Sequence, residues 1–273
     1  MSLRINTNVQ ALNGHRQMLK NDAGISKSLE KLSSGLKINR AADGAAGLII
    51  SEQLRAQLGG LQQAMDNTSM AISLVQTAEG ALDEMSALLV KAKKLALSSL
   101  NSATADNAQK NANQAEYANI TASISRIALQ TQYAGTFLLT GCFAAGKNVQ
   151  LGAFGGQVAQ VSISSMSSIL DTAGTLSTSA GATAVLLSIS SAITQVTTAR
   201  GRLGATQAST LETTLSSLRA SYENLKSAES TVRDVDFAEE SANFTRNTIL
   251  VQSATAMLAQ ANQLPQNVLK LLG

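Results

Sequence analysis

The sequence predicts a mainly α protein: a long α-helical coiled-coil bundle with a small β-hairpin region in its outer domain. Three observations carry that prediction. Both ends of the chain repeat apolar residues at alternating spacings of three and four. Near the start these are Ile25, Leu29, Leu32 and Leu36; near the end they are Leu250, Ala254, Met257, Ala261, Leu264, Val268 and Leu271. Such a repeat lays one apolar seam along a helix and requires a partner helix to cover it. Apolar residues make up 44% of the chain, yet aromatics are only 3% and Trp is absent. A core built from Ala, Leu, Ile and Val suits thin bundles with close axes. Proline occurs once, at Pro265, where a globular α/β enzyme uses it at roughly 5%.

The elements follow in order. The first helix ends at a cluster of Gly35, Gly44 and Gly47 mixed with Asn39 and Asp43, a combination that breaks helices. Between Leu61 and Ala134 the only glycine is Gly80. There Val75, Ala78, Leu82, Met85, Leu89, Ala92 and Ala96 form a second heptad seam. A polar stretch from Asn101 to Asn113 interrupts it, and the apolar pattern resumes at Tyr117, Ile120, Ile124, Ile127 and Ala134. Two antiparallel helices with a turn near Asn101 to Asp106 are expected. From Cys142 to about Gly181 glycine, serine and threonine accumulate. Residues 147–151 and 158–163 alternate with period two around a glycine-rich turn at 152–156, which predicts a hairpin. From about Ala184 the pattern is helical again. Leu211, Leu215, Leu218, Tyr222 and Leu225 form a seam that lapses at Glu229 and returns at Val232. Gly201 and Gly204 are tolerated within it at about 1 kcal/mol each. Residues 234–237 mirror the first break, and Pro265 is expected to kink the last helix without ending it.

This divides the chain into residues 1–42 and 232–273, the two halves of a coiled-coil domain, and residues 43–231, a larger helical domain with its hairpin near 147–163; the resemblance described below implies that the first is the inner domain and the second the outer one. Each terminal helix of about 35 residues is roughly 50 Å long.

Little in the chain points to chemistry. Residues 1–42 hold Arg4, Arg16, Lys20, Lys27, Lys31, Lys37 and Arg40 against Asp22 and Glu30, a local +5 in a chain of net +3. These basic residues are dispersed, with no aromatics between them for base stacking, so a solvated helix face is expected and not a nucleic-acid site. His15 is the sole histidine and Cys142 the sole cysteine. No nucleophile, base and orienting group can be assembled around them, so an enzyme is not expected, nor a metal or cofactor site. Glu79, Asp83 and Glu84 belong to a charged face with Lys91, Lys93 and Lys94. Gly152, Gly155 and Gly156 lack the Gly-Lys-Ser/Thr of a phosphate loop. The acceptor patterns at Asn67, Asn119 and Asn243 lie in helical stretches and are discounted. Met65, Met70, Met85 and Met257 read as packing residues. The start lacks the apolar core of a cleaved signal peptide, and no run of eighteen apolar residues exists, so membrane insertion is not expected. What remains is association: self-assembly or, as an alternative class, a membrane-active amphipathic helical protein.

Five segments resemble bacterial flagellin, in order along the chain: INTNVQAL at 5–12, LSSGLKINRAADGAAGL at 32–48, QTQYAG at 130–135, RGRLGA at 200–205 and MLAQANQLPQNVLKLLG at 257–273. Residues 142–184 match least well. The resemblance implies a short, minimal flagellin: a structural subunit that polymerises into the filament for motility, with terminal helices lining the filament core. Its expected self-assembly seam is Ile25, Leu29, Leu32, Leu36, Leu250, Met257, Leu258, Leu264, Val268, Leu271 and Leu272. It implies no cofactor, and an extracellular location in the flagellum after export without a cleaved signal peptide. It also implies dealings with the flagellar export apparatus, an export chaperone, the filament cap and hook-junction proteins. Flagellins of several bacterial groups are recognised by an innate immune receptor, and by motif that face falls on Lys91, Leu95 and Glu116. Here Lys91 replaces the family's arginine and Val90 its usual glutamine. A hook–filament junction protein of the same superfamily is the near alternative, against which the NVLKLLG ending speaks.

Overall fold

The computed structural model describes residues 8–101, 106–170 and 174–272, with side chains described up to residue 263. Six α-helices and two small antiparallel sheets are present among the described residues. The helices are α1 (Val9–Ser34), α2 (Ala45–Leu100), α3 (Asn107–Gln130), α4 (Ser179–Ala205), α5 (Thr213–Arg233) and α6 (Phe237–Leu272). Strands β1 (Gln132–Tyr133) and β2 (Thr136–Phe137) pair with each other, as do β3 (Lys147–Gln150) and β4 (Val158–Val161). The chain forms two compact units. One comprises residues 1–56 and 224–273, the other residues 57–223. The expected coiled-coil halves, 1–42 and 232–273, fall inside the first.

In the larger unit the seam read from the sequence is buried along its length: Val75, Ala78, Leu82, Met85, Leu89, Ala92 and Ala96 have no exposed surface. Tyr117, Ile120, Ile124 and Ala128 of α3 join the same core, with Val185, Ile189, Ala192 and Val196 of α4. The polar interruption is a true helix break, since α2 stops at Leu100 and the Asp106 carboxylate caps α3 by accepting from the Asn107 amide at 2.7 Å. The predicted strands pair in register, Lys147 opposite Val161 and Gln150 opposite Val158.

Two features of this unit depart from expectation. Helix α3 ends at Gln130 and Ala134 sits in a hairpin turn, with φ 48° there and 79° at Gly135. Two successive positive φ values match a tight two-residue hairpin connection. The second departure is a π-helical segment, Thr206–Glu212, joining α4 to α5. The core row of α4 runs Ala182, Val185, Ile189, Ala192, Val196, Ala199, Leu203 at spacings of three and four, which would next fall on residues 206 and 210. The buried residues are instead Leu211 and Leu218, one position late. A wider turn absorbs the extra residue. Thr206 and Thr213 steady it by donating to the carbonyls of Arg202 at 2.9 Å and Ser209 at 2.7 Å.

Helix Ser179–Arg233, which includes the π turn, contains an 18-residue window of mean hydropathy 1.3, of which 28% is buried. It is long and apolar enough to cross a membrane by length and composition, although it contains no unbroken run of eighteen apolar residues. Alanine, valine and isoleucine raise the average, and its apolar row belongs to the core just described.

Candidate assembly surface

The smaller unit is built on α1 and α6. Asn8 caps α1, its side chain accepting from the Ala11 amide at 3.0 Å. Gly35 ends it in the left-handed region at φ 73°, its N–H returning to Lys31 O at 2.9 Å. The turn that follows is held by ions and backbone. Lys27 Nζ lies 2.8 Å from Asp43, Arg40 Nε 2.9 Å from Glu30, and the Lys37 amide donates to Arg233 O at 2.6 Å. Residues 36 and 234 form a β-bridge, so both predicted breaks are anchored to each other. Arg233 also reaches Glu52 at 2.9 Å. Three carboxyls here are held below their ordinary range: Asp43 mainly by Lys27, Glu52 mainly by Arg233, and Glu240 mainly by the Ser28 hydroxyl and also by Lys31. The lapse in the α5 seam, Glu229, is a buried carboxylate satisfied by Lys226 at 2.8 Å.

The two helices run antiparallel. Asn8 Nδ2 donates to Ala261 O at 2.8 Å at one end of the contact, and Lys31 Nζ meets Glu240 at 3.2 Å at the other. The covered row on α1 includes Ala11, Gly14, Met18, Asn21, Ile25, Ser28 and Leu32. That on α6 includes Glu240, Asn247, Val251, Ala254, Leu258 and Ala261. Most of these side chains are small or polar. Large apolar residues lie on both sides of the pair: Met18, Ile25, Leu32, Phe244 and Leu258 are partly covered, while Leu12, Leu19, Leu29, Ile249, Leu250 and Met257 are exposed. A shallow groove of about 520 Å³ runs along α6 beside Ile249, Leu250 and Arg246.

The sequence-predicted seam therefore divides. Ile25, Leu32, Leu36 and Leu258 are partly buried within the unit. Leu29 at 56%, Leu250 at 42% and Met257 at 68% exposure are on its outside. Helix α6 continues through Pro265 to Leu272, but the side chains of Leu264, Val268, Leu271 and Leu272 lie outside the described ones. Sequence reasoning missed Asn21, Ser28, Glu240 and Asn247, which occupy the helix contact. Their signal was present: each pair is seven residues apart, in phase with the covered row.

In the larger unit Lys91 and Glu116 form an exposed ion pair at 3.1 Å, and Leu95 is partly buried against the core. Here too an open groove of about 730 Å³ lies between the β3–β4 loop, with Phe154 and Val158 exposed, and the π turn. His15 and Cys142 are both exposed. Among the described residues no three His, Cys, Asp or Glu side chains gather as a metal site.

Comparison with known proteins agrees with this geometry. The model of the bacterial flagellin N-terminal helical region matches residues 5–144, and that of the C-terminal helical region residues 186–272. Flagellin of Bacillus subtilis is 41% identical, the alignment covering 99% of this chain and all of that protein. Flagellin of Halalkalibacterium halodurans is 42% identical over 98% of this chain and 99% of its own. The flagellar filament 31.3 kDa core protein of Treponema maltophilum is 38% identical with the same coverage. The crystal structure of Bacillus cereus flagellin shares the fold at a TM-score of 0.50 and 23% identity, covering 56% of this chain and 88% of that one. With both terminal helical regions matched and full-length relatives above 40% identity, the chain belongs to the bacterial flagellin family, as a short form made of the core domains.

Proposed function

We propose that this chain is the structural subunit that polymerises into the bacterial flagellar filament for motility. The observation that carries the proposal is the apolar face that the terminal pair leaves exposed, while polar Asn21, Ser28 and Glu240 take up enclosed positions between α1 and α6. A two-helix seam with polar residues at several of its positions gives the pair less stability than an all-apolar one. Exposed Leu12, Leu19, Leu29, Ile249, Leu250 and Met257 gain theirs when further copies cover them. Folding of the ends is then coupled to assembly, and contacts between unlike surfaces give an open helical polymer, not a closed ring. Residues 1–42 and 232–273 form the inner layer and residues 43–231 the outer one. Leu264, Val268, Leu271 and Leu272 extend the assembly seam.

The chain acts outside the cell as part of the flagellum, after export as an unfolded chain without a cleaved signal peptide. Family membership argues for dealings with the export apparatus, an export chaperone, the filament cap and hook-junction proteins, and for a structural role without catalysis. An innate immune receptor would meet Lys91, Leu95 and Glu116. The exposed Lys91–Glu116 pair opposes it weakly, since such pairs are worth about 0–1 kcal/mol. The junction-protein and membrane-active alternatives are not favoured.

Electron microscopy of the purified chain, seeded and concentrated in a precipitating salt, tests the proposal. Long filaments of uniform width are expected. A persistently monomeric sample that instead co-sediments with liposomes overturns it.

A further inference from the structure

We infer that the polar residues enclosed between α1 and α6 are a register lock: they specify how the terminal helices pair at the expense of how strongly they pair. Three of them are nearly closed off from solvent, Asn21 at 8%, Ser28 at 4% and Glu240 at 9% exposure. They occupy positions that apolar residues fill in a seam built for stability. Glu240 accepts from Lys31 at 3.2 Å, and Ser28, enclosed beside it, helps hold its carboxyl below the ordinary range. Asn247 packs so closely on Gly24 that a Cβ there would lie 2.9 Å from its amide nitrogen, and Gly14 accommodates Leu258 in the same way at 3.3 Å. At the far end Asn8 bonds Ala261 O.

A slip of one heptad illustrates the consequence. The apolar and small positions would still alternate, because the covered rows keep the seven-residue period. The specific partners would not survive: Glu240 loses Lys31 and Ser28, Gly24 no longer faces Asn247, and Asn8 loses its carbonyl. An enclosed charge without a partner is costly, so the slipped pairing is rejected even though its apolar contacts differ little. Polar residues at seam positions set register and partner choice in coiled coils at a cost in stability. A polymer needs this more than a monomer does, because every copy brings the same two helices into reach of its neighbours. In that respect the inference rests on the assembly proposal; the register itself does not.

The test uses disulfide capture in the full-length chain carrying Cys142→Ser. Met18 and Thr255 touch, with Sδ and Oγ1 3.8 Å apart, so Met18→Cys with Thr255→Cys reports native register. Met18→Cys with Thr248→Cys reports a one-heptad slip. The parent is expected to give the native crosslink alone. In Asn21→Leu/Asn247→Leu the slipped crosslink is expected to become a major product, while helicity and melting temperature hold or rise. Glu240→Gln, which keeps the shape, is expected to give the slipped product in smaller yield, and it carries the test if the leucine variant does not fold. Exclusive native crosslinking in both variants overturns the lock, as does a lowered melting temperature with register unchanged, the mark of residues that only stabilise. Crosslinks are scored in monomer and in filament. A parent that never polymerises counts against the assembly proposal and leaves the monomer register result standing.

Discussion

The α2–α3–α4 core and the α1–α6 pair are both heptad-patterned, yet they place opposite things inside. In the first, Leu82, Met85, Leu89, Ile124 and Ile189 are fully or almost fully enclosed. In the second, Asn21, Ser28 and Glu240 are enclosed while Leu29 and Met257 face solvent. The same periodicity thus serves a finished core in one unit and an unfinished one in the other. Periodicity reports that a helix has a face; the volume and polarity of the residues on that face report whether the chain itself covers it.

The comparison breaks most sharply at the outward apolar residues. Leu29→Asp with Met257→Asp is expected to leave monomer helicity unchanged and to abolish polymerisation. The critical concentration should rise on the order of a hundredfold or more, because each buried charge costs several kcal/mol. Sedimentation after seeding, with circular dichroism of the monomer, measures both halves of that statement. Filaments at the parent concentration would show that these side chains remain solvated in the polymer.

Core truncation works the other way. Leu82→Ala, in a fully buried position, should cost about 2–5 kcal/mol and be felt in the monomer's melting curve. The matching substitution Leu29→Ala should leave that curve nearly unmoved and act only on assembly. Equal melting shifts in the two variants would erase the distinction between the units.

Acid acts on the smaller unit selectively. Asp43, Glu52 and Glu240 are held below their ordinary values by Lys27, by Arg233 and by Ser28 with Lys31. A lowered folded value means the stabilisation is complete above the ordinary carboxylate range, near pH 4, and is lost as pH falls through the folded value. Below about pH 4 the α1–α2 turn and the Glu240 contact should loosen before the larger core does. Amide exchange at Lys37 and Val235, which donate to Arg233 O and Gly35 O, should quicken first. Simultaneous loss of protection in both units would contradict this.

How much was legible follows from the same contrast. The α2 seam, the helix break after Leu100 and the β3–β4 hairpin are readable because local pattern and tertiary demand agree there. The family resemblance identified the ends. The division of the terminal seam into covered and exposed faces is not readable by marking large apolar residues, since that marking places Leu29 and Met257 in a seam whose covered positions include Asn21, Ser28 and Asn247. The β1–β2 turn was hidden because nothing about Ala134 announces a positive φ.

The π turn gives the smallest effect and the finest distinction. It exists because the apolar row of α4 and that of α5 differ in phase by one residue, so the larger core dictates helix geometry to the backbone. Deleting exposed Ala208 leaves Leu203 and Leu211 a whole heptad apart and removes the reason for the wide turn. The segment should close as ordinary α-helix and melting should change by no more than about 1 kcal/mol equivalent, the scale of a local backbone adjustment. Deleting exposed Ser191 in the middle of α4 likewise removes one small exposed residue, but throws Ala182, Val185 and Ile189 out of phase with Ala192, Val196 and Leu203. That variant should lose the core. If both deletions are equally tolerated, the core does not fix phase, and the π turn needs another cause.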